Sequence, residues 1–206
     1  MEPSFFLRGL AIGFAIAAPV GPIGILCIRR SLAEGRAAGF VSGLGAATAD
    51  ALYGVVAAFG LTLVSGFLIG QQVWLRLVGG VFLVYLGAKT YRARPADRPA
   101  AVAGRGLLAA YGSTLFLTLT NPMTIFAFAA IFAGVGLALT SGGYASAAAL
   151  VAGVFFGSAL WWLILSSAAS ALRAHMSTAV LQWVNRIAGA VITTFGLAVL
   201  ASFLPR

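Results

Sequence analysis

Six stretches of this chain stay apolar for about 20 residues or more, the length that crosses a hydrocarbon layer roughly 30 Å thick. They run over 4–27, 37–64, 72–91, 107–138, 144–171 and 181–204. Of the 206 residues 61% are hydrophobic and 8% charged, and the mean hydropathy is +1.03. That is more apolar surface than one water-facing core of this size can hide. The runs are continuous rather than alternating with a period of two, so they exclude an outer-membrane barrel and predict an all-α membrane protein of six transmembrane helices.

The net charge of +9 raises the question of nucleic acid, and its distribution answers it. Ten of the 13 basic residues fall in three alternate connections: Arg29, Arg30 and Arg36 after the first run, Lys89, Arg92, Arg94, Arg98 and Arg105 after the third, Arg173 and Arg186 after the fifth. Arg8, Arg76 and Arg206 fall on the other side. This asymmetry is the positive-inside signature: those loops face the cytoplasm, where they meet anionic lipid, and both termini lie on the periplasmic or extracellular side. No clustered basic and aromatic surface suggests nucleic acid. The start, MEPSFFLRGLAIGFAIAA, opens with Glu2 and stays apolar through Ile28, so it reads as an uncleaved first span. Cys27 is the single cysteine and His175 the single histidine, so neither a disulfide, a thiol relay nor a metal cluster is expected, and no cofactor is implied.

Residues 93–106, containing ARPADRPAAVAGR, form the one clear linker, dividing the chain into units 1–92 and 107–206. The two halves look related. RLVGGVFLVYLG from Arg76 lies over RIAGAVITTFGL from Arg186, pairing Arg76 with Arg186 and Gly79 with Gly189; at the same offset Gly43 meets Gly153 and Thr48 meets Ser158. At a slightly shorter offset Gly9 and Pro19 fall on Gly112 and Pro122. Three spans per half is odd, so the second copy enters the membrane from the opposite side, the inverted-repeat plan of many secondary transporters.

Each half also carries a break. AAPVGPIG, residues 17–24, sets Pro19, Gly21 and Pro22 inside the first run, and TLTNPMTIF sets Asn121 and Pro122 inside the fourth. Proline removes the hydrogen bond to the carbonyl four residues back, so Pro19 frees Ala15, Pro22 frees Ala18 and Pro122 frees Thr118. Bare carbonyls are tolerated at membrane depth only inside protein or beside a hydrated cavity. Asn121 suits an N-cap and Pro122 a first helical position, so each break starts a new helix whose amides and partial positive charge suit a carboxylate. One such break reads as a packing kink; two in corresponding places read as a binding site.

GFVSGLGAATADALYG contributes Asp50, the only acidic residue in any run. A carboxylate at that depth costs about 2.5–3.5 kcal/mol on insertion scales and points to function, as a proton carrier or, when ionised, as a seat for an ammonium group. The alternative is a partner in a buried polar network. Gly39 with Gly43 and Gly153 with Gly157 have the GxxxG spacing of close helix packing, within the bundle or between subunits. Trp74 and Trp183 read as interface anchors, and Trp161 and Trp162 as deeper packing, the alternative being a cation-binding aromatic face.

PVGPIG followed by RRSLAEGRAAG, then GLGAATAD, then LTNPMTIFAFAAIF resembles the LysE/RhtB family of amino-acid exporters, and the resemblance covers essentially the whole chain. It implies six helices, the bacterial inner membrane, and outward movement of amino acids driven by the proton motive force; it also leans towards a homodimer. Its motif residues map onto Pro19, Gly21, Pro22, Asp50, Asn121 and Pro122. Many members carry a lysine after the Asn-Pro pair; here Met123 stands there, so that lysine's role does not carry over. Together these readings predict a proton-coupled exporter, not an enzyme. The substrate carboxylate would dock near Pro22 and Pro122, with Asp50 and Thr118 on its ammonium group. The rivals are an exporter of a metal cation or other small solute, for which only Asp50 and Cys27 are ligands, and a non-transporting structural or lipid-handling protein.

Overall fold

A computed structural model of the chain describes residues 3–19, 21–58, 71–93, 104–121, 124–125, 127–128, 143–173 and 175–201. The described residues form seven helices and no strand: α1 (Pro3–Ala17), α2 (Pro22–Glu34), α3 (Arg36–Ala58), α4 (Gln72–Arg92), α5 (Gly104–Leu119), α6 (Gly143–Arg173) and α7 (Thr178–Ala201). Most of the linker, Met123 and Pro122 lie outside them.

Three helices are long and apolar enough to cross a membrane by themselves, over Arg36–Val56, Tyr144–Arg173 and Thr178–Ala201. The pair Ser4–Ala17 and Pro22–Glu34, bent by 83° at the break, is a broken span, which would make a fourth, or a re-entrant loop. Of the other two expected spans, 72–91 is one helix that is not among these candidates and 107–138 is only partly described. α4 has 21 residues but carries Lys89 and Arg92 in its last turn, and α5 offers the short apolar helix Gly106–Leu119, with most of 122–138 outside the described residues. The apolar surface is consistent with lipid as solvent. Only 28% of the α7 window is buried, and Val180, Trp183, Ile187, Phe195 and Leu197 stand exposed along it.

The local sequence explains the interruptions. Gly21 is the extended N-cap of α2 and Pro22 occupies its first turn, where a missing amide is harmless. α2 stops at Gly35, whose φ of 96° only glycine adopts without strain. The first basic connection is therefore not a loop. Helix continues through Arg29 and Arg30 to Glu34, and only Gly35 separates it from α3.

α1 packs along α6, α5 along α3, α4 along α7, and α3 along α6, while α2 touches α3, α6 and α7. Exchanging the two halves of the chain maps the first four of these pairings onto one another, since α1 with α6 becomes α5 with α3; the counterpart of α2 lies outside the described residues. The closest seams are backbone on backbone. A Cβ on Gly9 or Gly13 would lie 2.1 Å from the carbonyl of Leu150 or Val154, and one on Gly153 or Gly157 would lie about as close to those of Phe6 and Leu10. Gly153 and Gly157 thus serve contact within the bundle. Gly39 and Gly43 instead accept side chains, those of Ser31 and Trp162.

Candidate functional site

The break between α1 and α2 and the end of α5 meet around one cavity of about 650 Å³, within the roughly 300–1,000 Å³ typical of small-molecule sites. Pro19, Gly21, Pro22, Asp50, Thr118 and Asn121 all line it. Of the expected substrate-binding residues, Pro122 lies outside the described set. α4 and α7 supply the facing wall with Gly79, Gly80, Leu83, Phe195, Ala198 and Val199.

The two breaks are built alike. The Ile25 amide donates to the Gly21 carbonyl at 3.0 Å, and the Ile125 amide to the Asn121 carbonyl at 3.2 Å. In each case the first bond of a new helical turn closes on the residue before a proline. The corresponding positions are thus Gly21 and Asn121, and Pro22 matches Pro122 in sequence. Sequence alignment had set Pro19 there, because two prolines three residues apart offer two registers. Asn121 also donates from Nδ2 to Thr124 Oγ1 at 3.0 Å, tying the cap to its own first turn.

Not every freed carbonyl is bare. Thr118 O accepts from the Asn121 amide at 3.2 Å, and Leu119 O accepts from the Tyr53 hydroxyl at 2.6 Å. Tyr53 lies one turn beyond Asp50 on α3 and is buried; an aromatic in an apolar run gives no sequence sign of such a role. The Thr118 hydroxyl donates to Thr114 O at 2.8 Å, leaving its oxygen lone pairs to accept from a ligand.

Asp50 is 3% exposed. Ser158 Oγ donates to its Oδ2 at 2.7 Å, and Trp162 Nε1 donates to Ser158 Oγ at 3.1 Å. A two-step hydrogen-bond chain from α6 thus orients the carboxyl, with Trp162 itself a cavity residue. The sequence places Ser158 only in the repeat and Trp162 in packing or a cation-binding face; the i to i+4 spacing that joins them is visible there, their meeting with Asp50 is not.

The cavity lies away from the basic ends of the helices. It touches the start of α2, the first half of α4 and the last third of α7, whereas Glu34, Arg36, Arg92, Arg173 and Thr178 mark the opposite end. Between the two, Leu26, Leu86, Leu117 and Ile192 close together as an apolar cluster. Among the described residues no group of three or more His, Cys, Asp or Glu converges as a metal would require.

These features define a helical membrane protein with a solute-sized cavity built on paired helix breaks. Comparison with known proteins extends that description. The model of the LysE type translocator family matches residues 14–202. The chain is 29% identical over 199 residues to "Putative amino acid efflux protein YcgF" of Bacillus subtilis (strain 168), covering 94% of this chain and 93% of that one. It is 30% identical over 177 residues to "Uncharacterized membrane protein YahN" of Escherichia coli (strain K12), covering 82% and 77%. No solved structure matches. The chain belongs to the LysE type translocator family, and is accordingly a multi-pass membrane transporter rather than an enzyme.

Proposed function

We propose that this protein exports amino acids or similar small zwitterions across the bacterial inner membrane by proton antiport. The observation that carries the reading is the meeting of two helix starts with Asp50 and Thr118 on one cavity. A zwitterion presents opposite charges a few ångströms apart, and the cavity presents opposite partners. The amides and dipoles of the helices beginning after Gly21 and Asn121 suit its carboxylate, while Asp50 and the lone pairs of Thr118 suit its ammonium group. The largely apolar wall from α4 and α7 suits a side chain. The naming of the Bacillus subtilis relative for amino acid efflux agrees with this cargo.

In this mechanism a proton reaching Asp50 from outside neutralises its hold on the ammonium group, and the cargo leaves outward. The proposed architecture is two inverted three-helix repeats, 1–92 and 107–206, rocking about the fixed site, with both termini outside and the basic ends of the helices in the cytoplasm. The exchange symmetry of the packing and the matching turns at Gly21 and Asn121 support it. The homodimer remains an expectation from the family resemblance.

The test is flux. Purified protein in liposomes with an imposed pH gradient is offered a panel of labelled amino acids, basic, neutral and branched. Gradient-dependent movement of at least one is expected. A folded protein that moves none of them would overturn the proposed cargo.

A further inference from the structure

Arg30 is the most unusual charge in the molecule. It is 8% exposed, and its guanidinium forks between two helices. Nη1 donates to Ser42 Oγ of α3 at 2.9 Å, and to Ala110 O and Thr114 Oγ1 of α5 at 3.0 and 3.1 Å; Nη2 donates to Ser113 Oγ at 2.8 Å. All four acceptors are neutral. The two described carboxylates are engaged elsewhere, Glu34 with Arg29 at 2.8 Å and Asp50 with Ser158. A charge satisfied only by hydroxyls and one carbonyl is held less firmly than one in a buried ion pair, and it leaves no opposite charge stranded if it departs.

Its position gives that a meaning. α2 runs from the cavity at Pro22 to the basic end at Glu34, passing the apolar cluster at Leu26 and then Arg30. The same stretch is laced to its other neighbours: Arg29 Nε donates to Asn185 Oδ1 of α7 at 3.0 Å, Asn185 in turn donates to Ala93 O beyond α4 at 3.1 Å, and Arg173 of α6 donates to Leu32 O. Among the described residues the cavity end of α2 has no comparable polar lacing. We infer that Arg30 is the bolt of a cytoplasmic gate: it holds the second half of α2 against α3 and α5, keeps the apolar cluster shut, and must withdraw for the cavity to open inward. The inference rests on the transporter reading given above and adds the residue that closes its inner end.

The chain carries its own reporter. Cys27, its one cysteine, sits on α2 a turn before Arg30 and is 1% exposed. It is shielded in this arrangement, packed with Ala17, Ala46 and Trp162 of the cavity wall, so the face from which a reagent reaches it reports which end opens. Membrane vesicles of the full-length protein, prepared right-side-out and inside-out, are treated without substrate with a membrane-impermeant thiol reagent. Arg30→Gln is expected to raise the Cys27 labelling rate by about tenfold or more from the cytoplasmic face only, because the gate's open population grows. The double variant Ser113→Ala, Thr114→Val keeps Arg30 and withdraws two of its four acceptors, so it should move labelling the same way even if Arg30→Gln misfolds. Wild-type labelling rates in the double variant, or a rise that is equal from both faces, would overturn the gate. Because no substrate is present, the result stands apart from the flux test of cargo.

Discussion

Replacing Asp50 by Asn tests the mechanism where it is most exposed. The substitution keeps the size of the side chain and an oxygen for Ser158 Oγ, which now lies 2.7 Å from Oδ2, but it can neither ionise nor release a proton. Two effects on stability oppose each other. An ionised carboxylate in mid-membrane costs about 2.5–3.5 kcal/mol, while a hydrogen bond to a charged group returns about 1.5–3 kcal/mol against about 1 for a neutral one. The first exceeds the loss in the second, about 0.5–2 kcal/mol, so the variant should be at least as stable as the wild type and by up to about 3 kcal/mol more so, with each kcal/mol worth about 2–4 °C in Tm for a chain of this size. Transport should change far more. If Asp50 carries the proton, gradient-driven export into or out of liposomes falls to the background of empty vesicles. If it also holds the ammonium group, losing one charge-assisted bond of about 1.5–3 kcal/mol weakens substrate binding roughly 10- to 150-fold, and gradient-free exchange disappears as well. Exchange that survives without a gradient would leave Asp50 only the coupling role. A variant that accumulates normally and still exports against a gradient at the wild-type rate would refute both roles and leave the carboxyl as a structural partner of Ser158.

Asn121→Ala removes the donor to Thr124 Oγ1 and the cap of the second break. It should cost about 1 kcal/mol of stability and weaken substrate binding more than membrane insertion, read by thermal denaturation beside a binding titration. Gly13→Ala drives a Cβ to 2.1 Å from Val154 O and should destabilise the α1–α6 seam by about 1–3 kcal/mol or more. By contrast Gly112→Ala, with nothing within 4 Å, should stabilise α5 by up to about 1 kcal/mol; the pair is compared by Tm in one detergent. A reporter fused after Arg206 should be active on the periplasmic side, and a cytoplasmic signal would remove the proposed orientation.

What the sequence disclosed and what it withheld divide along a physical line. Features carried by a contiguous stretch were legible: the apolar runs, the prolines that interrupt them, the isolated carboxylate at Asp50. These depend on the membrane and on backbone chemistry, which act on each segment by itself. Features made by several segments were not. Arg30 read as a loop charge because it follows an apolar run beside Arg29, and the acceptors that let it be buried come from Ser42, Ser113 and Thr114 on two other helices. The chain from Trp162 through Ser158 to Asp50 joins α6 to α3 across 108 positions, and the Tyr53 hydroxyl reaches Leu119 O across 66. Hydroxyl residues in a greasy chain resemble one another until packing decides which of them face inward.

The cavity wall also separates two kinds of evolutionary change. The groups proposed to meet a zwitterion's charged ends come from α2, α3 and α5, where they depend on prolines, a helix break and a buried carboxyl. The facing residues on α4 and α7, among them Leu83, Phe195, Ala198 and Val199, are plain apolar side chains, and Phe195 and Ala198 are exposed. Trimming Phe195 or enlarging Ala198 would reshape the chamber without touching a hydrogen bond. On the proposed function, a lineage built on this plan could acquire new cargoes by changes on this wall while the proposed seats for carboxylate and ammonium stay as they are.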